Sequence, residues 1–246
     1  MDRNKPMIAL DFQSKEEAKH FLEAFGHQKL TLKIGMELFY SSGPNFVKEL
    51  VTDGHDIFLD LKLYDIPHTV KKAMTQLAEL GVQMVNVHAA GGQEMMEAAK
   101  EGLEAGTKEG IERPLLIAVT QLTSRDEATT KEELQLTVSQ KENILHLAKL
   151  TEASGLDGVV CSPLEAQMIK ENTSEEFLTV TPGIRLNTQN IQADDQVRVT
   201  TPKEAAEIGS DYIVVGRPIT LASNPFESYQ SIEKEWQDAL KERKND

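Results

Sequence analysis

The chain has 246 residues, of which 39% are hydrophobic, so it can form one large domain with a sizeable core or two small domains. Acidic residues outnumber basic residues by 40 to 26, and the formal net charge of -14 argues against a general surface for nucleic acid or anionic membranes. The single cysteine, the lack of any apolar run near the roughly 18 residues of a membrane span, and an N-terminus unlike a signal peptide together favour a cytoplasmic protein.

Short apolar runs recur along the chain with amphipathic segments between them. Most of these runs are continuous rather than alternating, as expected for parallel strands that are covered on both faces. The predicted strands are, in chain order, Met7–Leu10, Leu30–Ile34, Ile57–Leu61, Val82–Val87, Leu115–Val119, Gly158–Cys161, Leu178–Thr181 and Tyr212–Val215. Eight strand–helix units of roughly 30 residues each predict an α/β fold, a (β/α)8 TIM barrel that spans residues 1–246 as a single domain. A doubly wound open sheet is the competing architecture.

Helix-capping patterns mark several of the intervening segments. Ser14 followed by Glu17 fits a capping box, and Thr201–Glu204 combines a cap, a proline at the first helical position and the reciprocal glutamate. The connection Thr123–Val138 is longer than a tight strand-to-helix loop, which predicts an extra turn or a mobile loop there.

The run Ile57–Thr69 is the most informative segment of the chain. Its apolar stretch ends in Asp60 and Lys62, and Asp65 follows soon after. On a strand, residues i and i+2 point to the same face, so Asp60 and Lys62 are predicted to lie side by side, with Asp65 on the turn beyond. Because burying charges is costly unless they are paired, this cluster indicates either a structural ion-pair network or a functional site.

Polar residues also lie at or just past the ends of the other predicted strands. They are Asp11, Lys33, His88, Thr123, Ser162, Arg185 and Arg217. In a barrel of this type the C-terminal ends of all strands face one mouth, where the chemistry takes place. Packing alone does not explain polar groups at the same end of so many strands, so this mouth is the predicted active site.

Two of these strand ends combine glycine with arginine. Pro182–Arg185 and Gly216–Pro218 follow the seventh and eighth strands, the position at which such barrels often bind phosphate. Glycine lets the backbone approach an anion, and arginine donates forked hydrogen bonds to phosphate oxygens. The pattern predicts a phosphate site with Arg185, Gly216 and Arg217. The alternative is that both arginines lie on the surface beside ordinary turns.

Other chemically interesting residues carry weaker signals. His88 fits an acid–base group as well as it fits a hydrogen-bonded structural histidine. Cys161 is expected to behave as a small buried apolar residue. The remaining histidines show no metal-ligand spacing, and Gly91-Gly92 is too short for a dinucleotide loop, so no metal and no cofactor are expected.

The charges around Lys62 restrict its chemistry. Neighbouring carboxylates favour the ammonium form, which is a poor Schiff-base nucleophile but a suitable proton donor or a cation beside a developing carbanion. The aspartates would repel a second anion, by about 4 kcal/mol per pair at about 4 Å and an effective dielectric of roughly 20. Loss of a substrate carboxylate as CO2 beside Lys62 would use both effects, and a distant phosphate grip could offset the cost of holding the anion there.

The segment Asp60–Thr69 resembles the D-x-K-x-x-D-I-P-x-T signature of the orotidine 5'-phosphate decarboxylase family. Four further segments resemble blocks of the same family in the same order, namely Ala118–Ser124, Thr181–Arg185, Asp195–Arg198 and Val215–Pro218. The match extends over nearly the whole chain. It implies conversion of orotidine 5'-phosphate to uridine 5'-phosphate without a cofactor, in the last step of de novo pyrimidine nucleotide synthesis.

The resemblance also implies roles for individual residues. Lys62 would protonate the pyrimidine ring carbon as CO2 leaves, and Asp60 would crowd the departing carboxylate. The remaining implied contacts are Asp11 and Lys33 with the ribose hydroxyls, Thr123 beside the pyrimidine, and Arg185, Gln196 and Arg217 with the phosphate. The family is dimeric, so Asp65 and Thr69 are expected to reach into the partner's site in a homodimer with shared active sites.

One segment departs from the family pattern, and two other functions compete. Family members often follow the Arg185 position with a proline and a glycine-containing stretch, whereas this chain runs Leu186–Asp194, which leaves the shape of the phosphate loop open. A sugar-phosphate lyase of the 3-keto-L-gulonate 6-phosphate decarboxylase type shares the barrel, but uses magnesium and typically has a glutamate in place of Lys33. A non-catalytic uridylate-binding barrel would have no use for the costly charges between Asp60 and Asp65.

Overall fold

A computed structural model of the chain describes residues 1–186 and 199–243. Eight parallel strands close into a barrel in sequence order, because each strand pairs with the next and the last pairs with the first. The strands are β1 (Met7–Ala9), β2 (Thr31–Gly35), β3 (Asp56–Leu63), β4 (Met84–His88), β5 (Leu115–Val119), β6 (Gly158–Val160), β7 (Leu178–Thr181) and β8 (Tyr212–Val215). The predicted TIM barrel is confirmed, and the competing open sheet is wrong.

Helices follow the strands and cover the outside of the barrel. They are α1 (Lys15–Glu23), α2 (Met36–Thr52), α3 (Pro67–Ala78), α4 (Gln93–Gly106), α5 (Glu127–Leu134), α6 (Gln140–Ala153), α7 (Pro163–Lys170), α8 (Pro202–Glu207), α9 (Arg217–Thr220) and α10 (Pro225–Arg243). Ser14 caps α1 through the backbone N–H of Glu17, and Thr201 forms the predicted capping box at α8. The long connection after β5 contains the short helix α5, so its extra turn is helical. None of the described helices is long and apolar enough to span a membrane.

The apolar strand residues divide between two sides of the sheet. One buried cluster fills the barrel interior and consists of Met7, Ala9, Phe58, Met84, Ile117, Leu178, Val180, Tyr212 and Val214. Strand neighbours such as Ile8 and Leu59 belong to the larger cluster that packs against the helices. Because parallel strands are apolar on both faces, their sequences read as continuous hydrophobic runs. Charged side chains are thereby concentrated toward the strand ends and the loops, whereas a few polar residues, such as Asn86 and Thr179, are buried within strands.

Strand β3 is irregular where it carries its charges. It leaves its regular pairing with β4 after Leu59 and resumes it at Leu63, so that three residues of β3 lie opposite Asn86 alone. Within this bulge the φ angle of Lys62 is 52°, in the left-handed region that residues with a side chain rarely adopt. The strand therefore runs beyond its predicted end at Leu61, and it does so through a distorted backbone rather than a regular pleat.

Candidate active site

A cavity of about 560 Å³ opens at the C-terminal ends of the strands. The predicted site residues that line it are Asp11, Lys33, Asp60, Lys62, Thr123, Arg185, Gly216 and Arg217. Ala9, Phe58 and Val214 from the top of the barrel interior also line it, which gives the polar groups an apolar surround. The space is lined by strand ends and by the loops that follow them, and its size suits a small organic ligand.

Four charged side chains of alternating sign form a row in this cavity, called the charged row below: Asp11, Lys33, Asp60 and Lys62. Lys33 Nζ lies 2.9 Å from Asp11 Oδ1 and 3.7 Å from Asp60 Oδ2. Lys62 Nζ lies 2.6 Å from Asp60 Oδ1, so these two residues lie side by side as predicted. The Lys33 and Asp60 side chains are each only 13% exposed. Charges so shielded from water interact more strongly than a surface pair does.

Asp60 is held as a carboxylate by its neighbours. Burial by itself raises the pKa of this carboxyl group, and the positive charges of Lys33 and Lys62 oppose this effect. Hydrogen bonds from Lys62 and Asn86 act in the same direction, so the pKa of Asp60 lies below its ordinary value. The group is therefore ionised at neutral pH and presents a fixed negative charge to the cavity.

Asn86 on β4 is a contact that the sequence analysis missed. Its side chain is almost completely buried, at 1% exposure. Its Nδ2 donates a hydrogen bond of 2.7 Å to Asp60 Oδ1, and its Oδ1 accepts one of 2.7 Å from the backbone N–H of Lys62. The one available signal in the sequence was a polar residue inside the apolar run of β4, between Val85 and Val87.

The loops after β7 and β8 supply cations to the same cavity. Gly183 has a φ angle of 85°, which only glycine adopts without strain, and this turn leads directly to Arg185. Arg217 begins the short helix α9, immediately after Gly216. A Cβ atom on Gly216 would lie 3.6 Å from the Cβ of Ala9, so the backbone there runs close to β1. Arginines and glycine-bearing turns are thus brought together as predicted, whereas Gln196 lies outside the described residues.

Asp65 and Thr69 do not join the other predicted residues. Both are exposed, and neither is among the described residues that line the cavity of their own chain. Asp65 Oδ1 accepts a hydrogen bond of 2.7 Å from the backbone N–H of Ile66. The neighbouring Tyr64 and Ile66 are 64% and 66% exposed, which is unusual for large apolar side chains. This segment therefore presents a partly apolar surface beside the cavity mouth.

The remaining candidates lie outside the cavity lining. Burial and the charges of Lys62 and Arg125 lower the pKa of His88, so it is neutral at neutral pH. Its Nδ1 is buried and has no hydrogen-bond partner in the described part of the chain. Cys161 is fully buried, as expected, and burial raises the pKa of its thiol well above the usual value. Within residues 1–186 and 199–243, no cluster of three or more His, Cys, Asp or Glu side chains could hold a metal ion.

Known proteins are similar to this chain in sequence and in architecture. Residues 4–232 match the model of the "Orotidine 5'-phosphate decarboxylase / HUMPS family". Proteins named orotidine 5'-phosphate decarboxylase from Bacillus cytotoxicus and Bacillus cereus are each 56% identical over 231 residues, which is 94% of this chain and 96% of each relative. The crystal structure of orotidine 5'-phosphate decarboxylase from Lactobacillus acidophilus superimposes with a TM-score of 0.85 at 44% identity, covering 94% of this chain and 98% of that one. The chain therefore belongs to the orotidine 5'-phosphate decarboxylase / HUMPS family.

Proposed function

We propose that the chain decarboxylates orotidine 5'-phosphate to uridine 5'-phosphate without a metal or another cofactor. The observation that carries this proposal is the charged row, in which Lys62 contacts Asp60 at 2.6 Å inside a cavity that Arg185 and Arg217 also line. An ammonium group and a carboxylate in contact there can act on a substrate carboxylate and on the carbon that bears it. The names of the relatives agree with this chemistry.

Substrate binding divides the cavity into two parts in this proposal. The phosphate is held by Arg185, Gly216 and Arg217, with Gln196 as a further expected contact. Asp11 and Lys33 bind the ribose hydroxyls, and Thr123 lies beside the pyrimidine; all three line the cavity. Binding energy gained at the phosphate offsets the repulsion met when the substrate carboxylate approaches Asp60.

In the chemical step, the negative charge of the substrate shifts from its carboxylate, beside Asp60, to the ring carbon beside Lys62. The bond between the ring carbon and the carboxylate breaks, CO2 leaves, and the electron pair stays on the ring carbon. The Lys62 ammonium stabilises this carbanion and then donates a proton to it, which gives uridine 5'-phosphate. Repulsion between Asp60 and the carboxylate ends when CO2 departs. It therefore raises the energy of the bound substrate more than that of the transition state.

We also propose a homodimer in which each site is completed by Asp65 and Thr69 of the other subunit. Two observations support this. Both residues are exposed and lie outside the cavity of their own chain. The adjacent exposed Tyr64 and Ile66 offer apolar surface that a partner could cover.

Lys33 argues against the competing magnesium-dependent lyase. Its ammonium lies between Asp11 and Asp60, the two carboxylates of the row that could otherwise ligate a divalent cation. A cation already paired with both would repel a metal ion at that place. A purely binding role is disfavoured by the charged row itself, because ion pairs shielded from water, such as Lys33 with Asp60, are seldom more stabilising than apolar residues of similar volume.

The test is a decarboxylation assay on the purified protein. With orotidine 5'-phosphate as substrate, loss of orotidylate absorbance is followed with and without EDTA. With 3-keto-L-gulonate 6-phosphate as the second substrate, release of CO2 is followed instead. We expect turnover of the nucleotide alone, unchanged by EDTA. Turnover of the sugar phosphate, or activity that EDTA removes and magnesium restores, would favour the lyase. Tight binding of uridine 5'-phosphate without any turnover would favour the binding barrel.

A further inference from the structure

We infer that Asn86 is a positioning residue that sets the geometry of both members of the Asp60–Lys62 pair. This inference rests on the proposed function, since it assigns Asn86 to the same reaction. Asn86 does not line the cavity, so any effect on the substrate must pass through the two residues that it contacts.

The bulge in β3 explains why such a residue is needed. Three consecutive residues, 60–62, lie opposite Asn86 alone, so the regular ladder of backbone hydrogen bonds is interrupted there. The backbone N–H of Lys62 is instead satisfied by the side-chain Oδ1 of Asn86 at 2.7 Å. A lysine with a φ angle of 52° persists only where its surroundings hold it in that conformation. The Asn86 amide is one group that does so.

The other end of the same amide fixes the carboxylate. Asn86 Nδ2 donates to Asp60 Oδ1, the oxygen that also accepts the hydrogen bond from Lys62 Nζ. One planar side chain thus binds the Lys62 backbone and the Asp60 carboxylate at once. The task needs an acceptor and a donor a short distance apart, which the asparagine amide provides and a carboxylate or an aliphatic group does not.

The experiment compares two Asn86 variants with a buried control. Asn86→Ala removes both hydrogen bonds, and we expect kcat to fall about 100-fold with KM changed by less than about threefold, because a displaced catalytic pair affects the chemical step more than binding. The control is Thr179→Val on β7. Thr179 is equally buried and hydrogen-bonded to Gly209 O at 3.0 Å, but lies outside the cavity lining. It should lower the melting temperature and leave kcat unchanged.

Asn86→Asp is nearly isosteric and separates the two hydrogen bonds. It keeps the acceptor for the Lys62 N–H but sets a second carboxylate against Asp60. Like charges in contact raise the pKa of the pair, so the acid limb of the kcat profile should move up by about one pH unit or more. The shift tests whether the side chain at position 86 contacts the catalytic carboxylate, and a loss of kcat at the plateau of the profile tests whether the amide positions the pair. If Asn86→Ala does not fold, this variant decides the matter.

Several results would overturn the inference. They are a kcat within about threefold of wild type in Asn86→Ala, a loss carried by KM alone, an equal loss of kcat in Thr179→Val, or an unshifted profile with unchanged kcat in Asn86→Asp. A crystal structure of Asn86→Ala gives a readout that needs no turnover. We expect Lys62 to leave its left-handed conformation or to separate from Asp60, and unchanged geometry of both would refute the inference. If the wild-type protein showed no decarboxylase activity, the proposed function itself would be refuted, whatever the geometry of the Asn86 variants.

Discussion

Replacing Lys62 with alanine should abolish turnover and leave nucleotide binding largely intact. Lys62 Nζ contacts Asp60 Oδ1 at 2.6 Å, so the ammonium stands within a few ångströms of a carboxylate or carbanion held beside Asp60. At about 4 Å and an effective dielectric of roughly 20, its attraction for the developing carbanion is about 4 kcal/mol. Since about 1.4 kcal/mol corresponds to a factor of ten in rate, losing this attraction alone lowers kcat about 1000-fold. Losing the proton donor adds about another 100-fold or more.

Two assays on Lys62→Ala separate chemistry from binding. Steady-state loss of orotidylate absorbance measures kcat, and calorimetry measures the affinity for uridine 5'-phosphate. The affinity should survive because Arg185 and Arg217 are unchanged. Lys71→Ala is a matched control, since Lys71 Nζ also forms a 2.6 Å ion pair, with Glu101 Oε2, but is 43% exposed on the surface. This control should keep wild-type kcat, because exposed ion pairs contribute little.

Two outcomes would contradict this reasoning. A kcat of Lys62→Ala within about tenfold of wild type would show that another group donates the proton. Joint loss of turnover and of uridine 5'-phosphate binding, in a folded protein, would show that Lys62 serves binding rather than the chemical step.

Three further predictions test other parts of the site. Mixing inactive Asp65→Asn and Lys62→Ala proteins should restore some activity after subunit exchange, whereas confirmed exchange without recovery would place Asp65 in its own subunit's site. Because the pKa of Asp60 is lowered in the folded state, its contribution to stability is present above its ordinary value of 3.8 and is lost as the pH falls through the lowered value. The difference in unfolding free energy between wild type and Asp60→Asn, measured with denaturant, should therefore narrow only below about pH 4. Gly183→Ala places a side chain at a φ angle of 85°, so it should destabilise the fold by about 1 kcal/mol or more and raise KM through displacement of Arg185, as shown by thermal unfolding and kinetics.

The barrel was predictable because each strand can be recognised from its own apolar run, without reference to the rest of the chain. Leu115–Val119, Leu178–Thr181 and Tyr212–Val215 have the bounds that their apolar runs predict. The connection after β5 was harder, since its length indicates an insertion but not its conformation, and the structure forms helix α5 there. The length of a connection shows that it contains additional structure, whereas local capping residues such as Asp126 decide whether that structure is a helix.

The site was predictable only as far as local spacing reaches. Asp60 and Lys62 do lie side by side, but strand alternation is not the full reason, because a bulge and a left-handed Lys62 intervene. The contact of both with Asn86 depends on the register between β3 and β4, which no spacing within one segment encodes. Where a strand departs from regular pairing, the side chain that replaces the lost backbone hydrogen bond can come from a neighbouring strand. That side chain can be identified only from the structure.

The charges around the cavity distinguish the proposed substrate from its product. The charged row sums to zero, since it holds two lysines and two aspartates, and Arg185 and Arg217 add two positive charges among the described residues that line the cavity. A nucleotide phosphate carries close to two negative charges near neutral pH, about -1.5 to -2, and so matches the arginines. The carboxylate of orotidine 5'-phosphate is then a surplus anion that meets Asp60. In the proposed reaction, neutral CO2 leaves and the electron pair of the broken bond stays on the ring carbon, so the negative charge shifts from beside Asp60 to beside Lys62 and the carbon is neutralised when Lys62 donates its proton. Once Lys62 has regained a proton from solvent, the cavity is better matched in charge to the product than to the substrate.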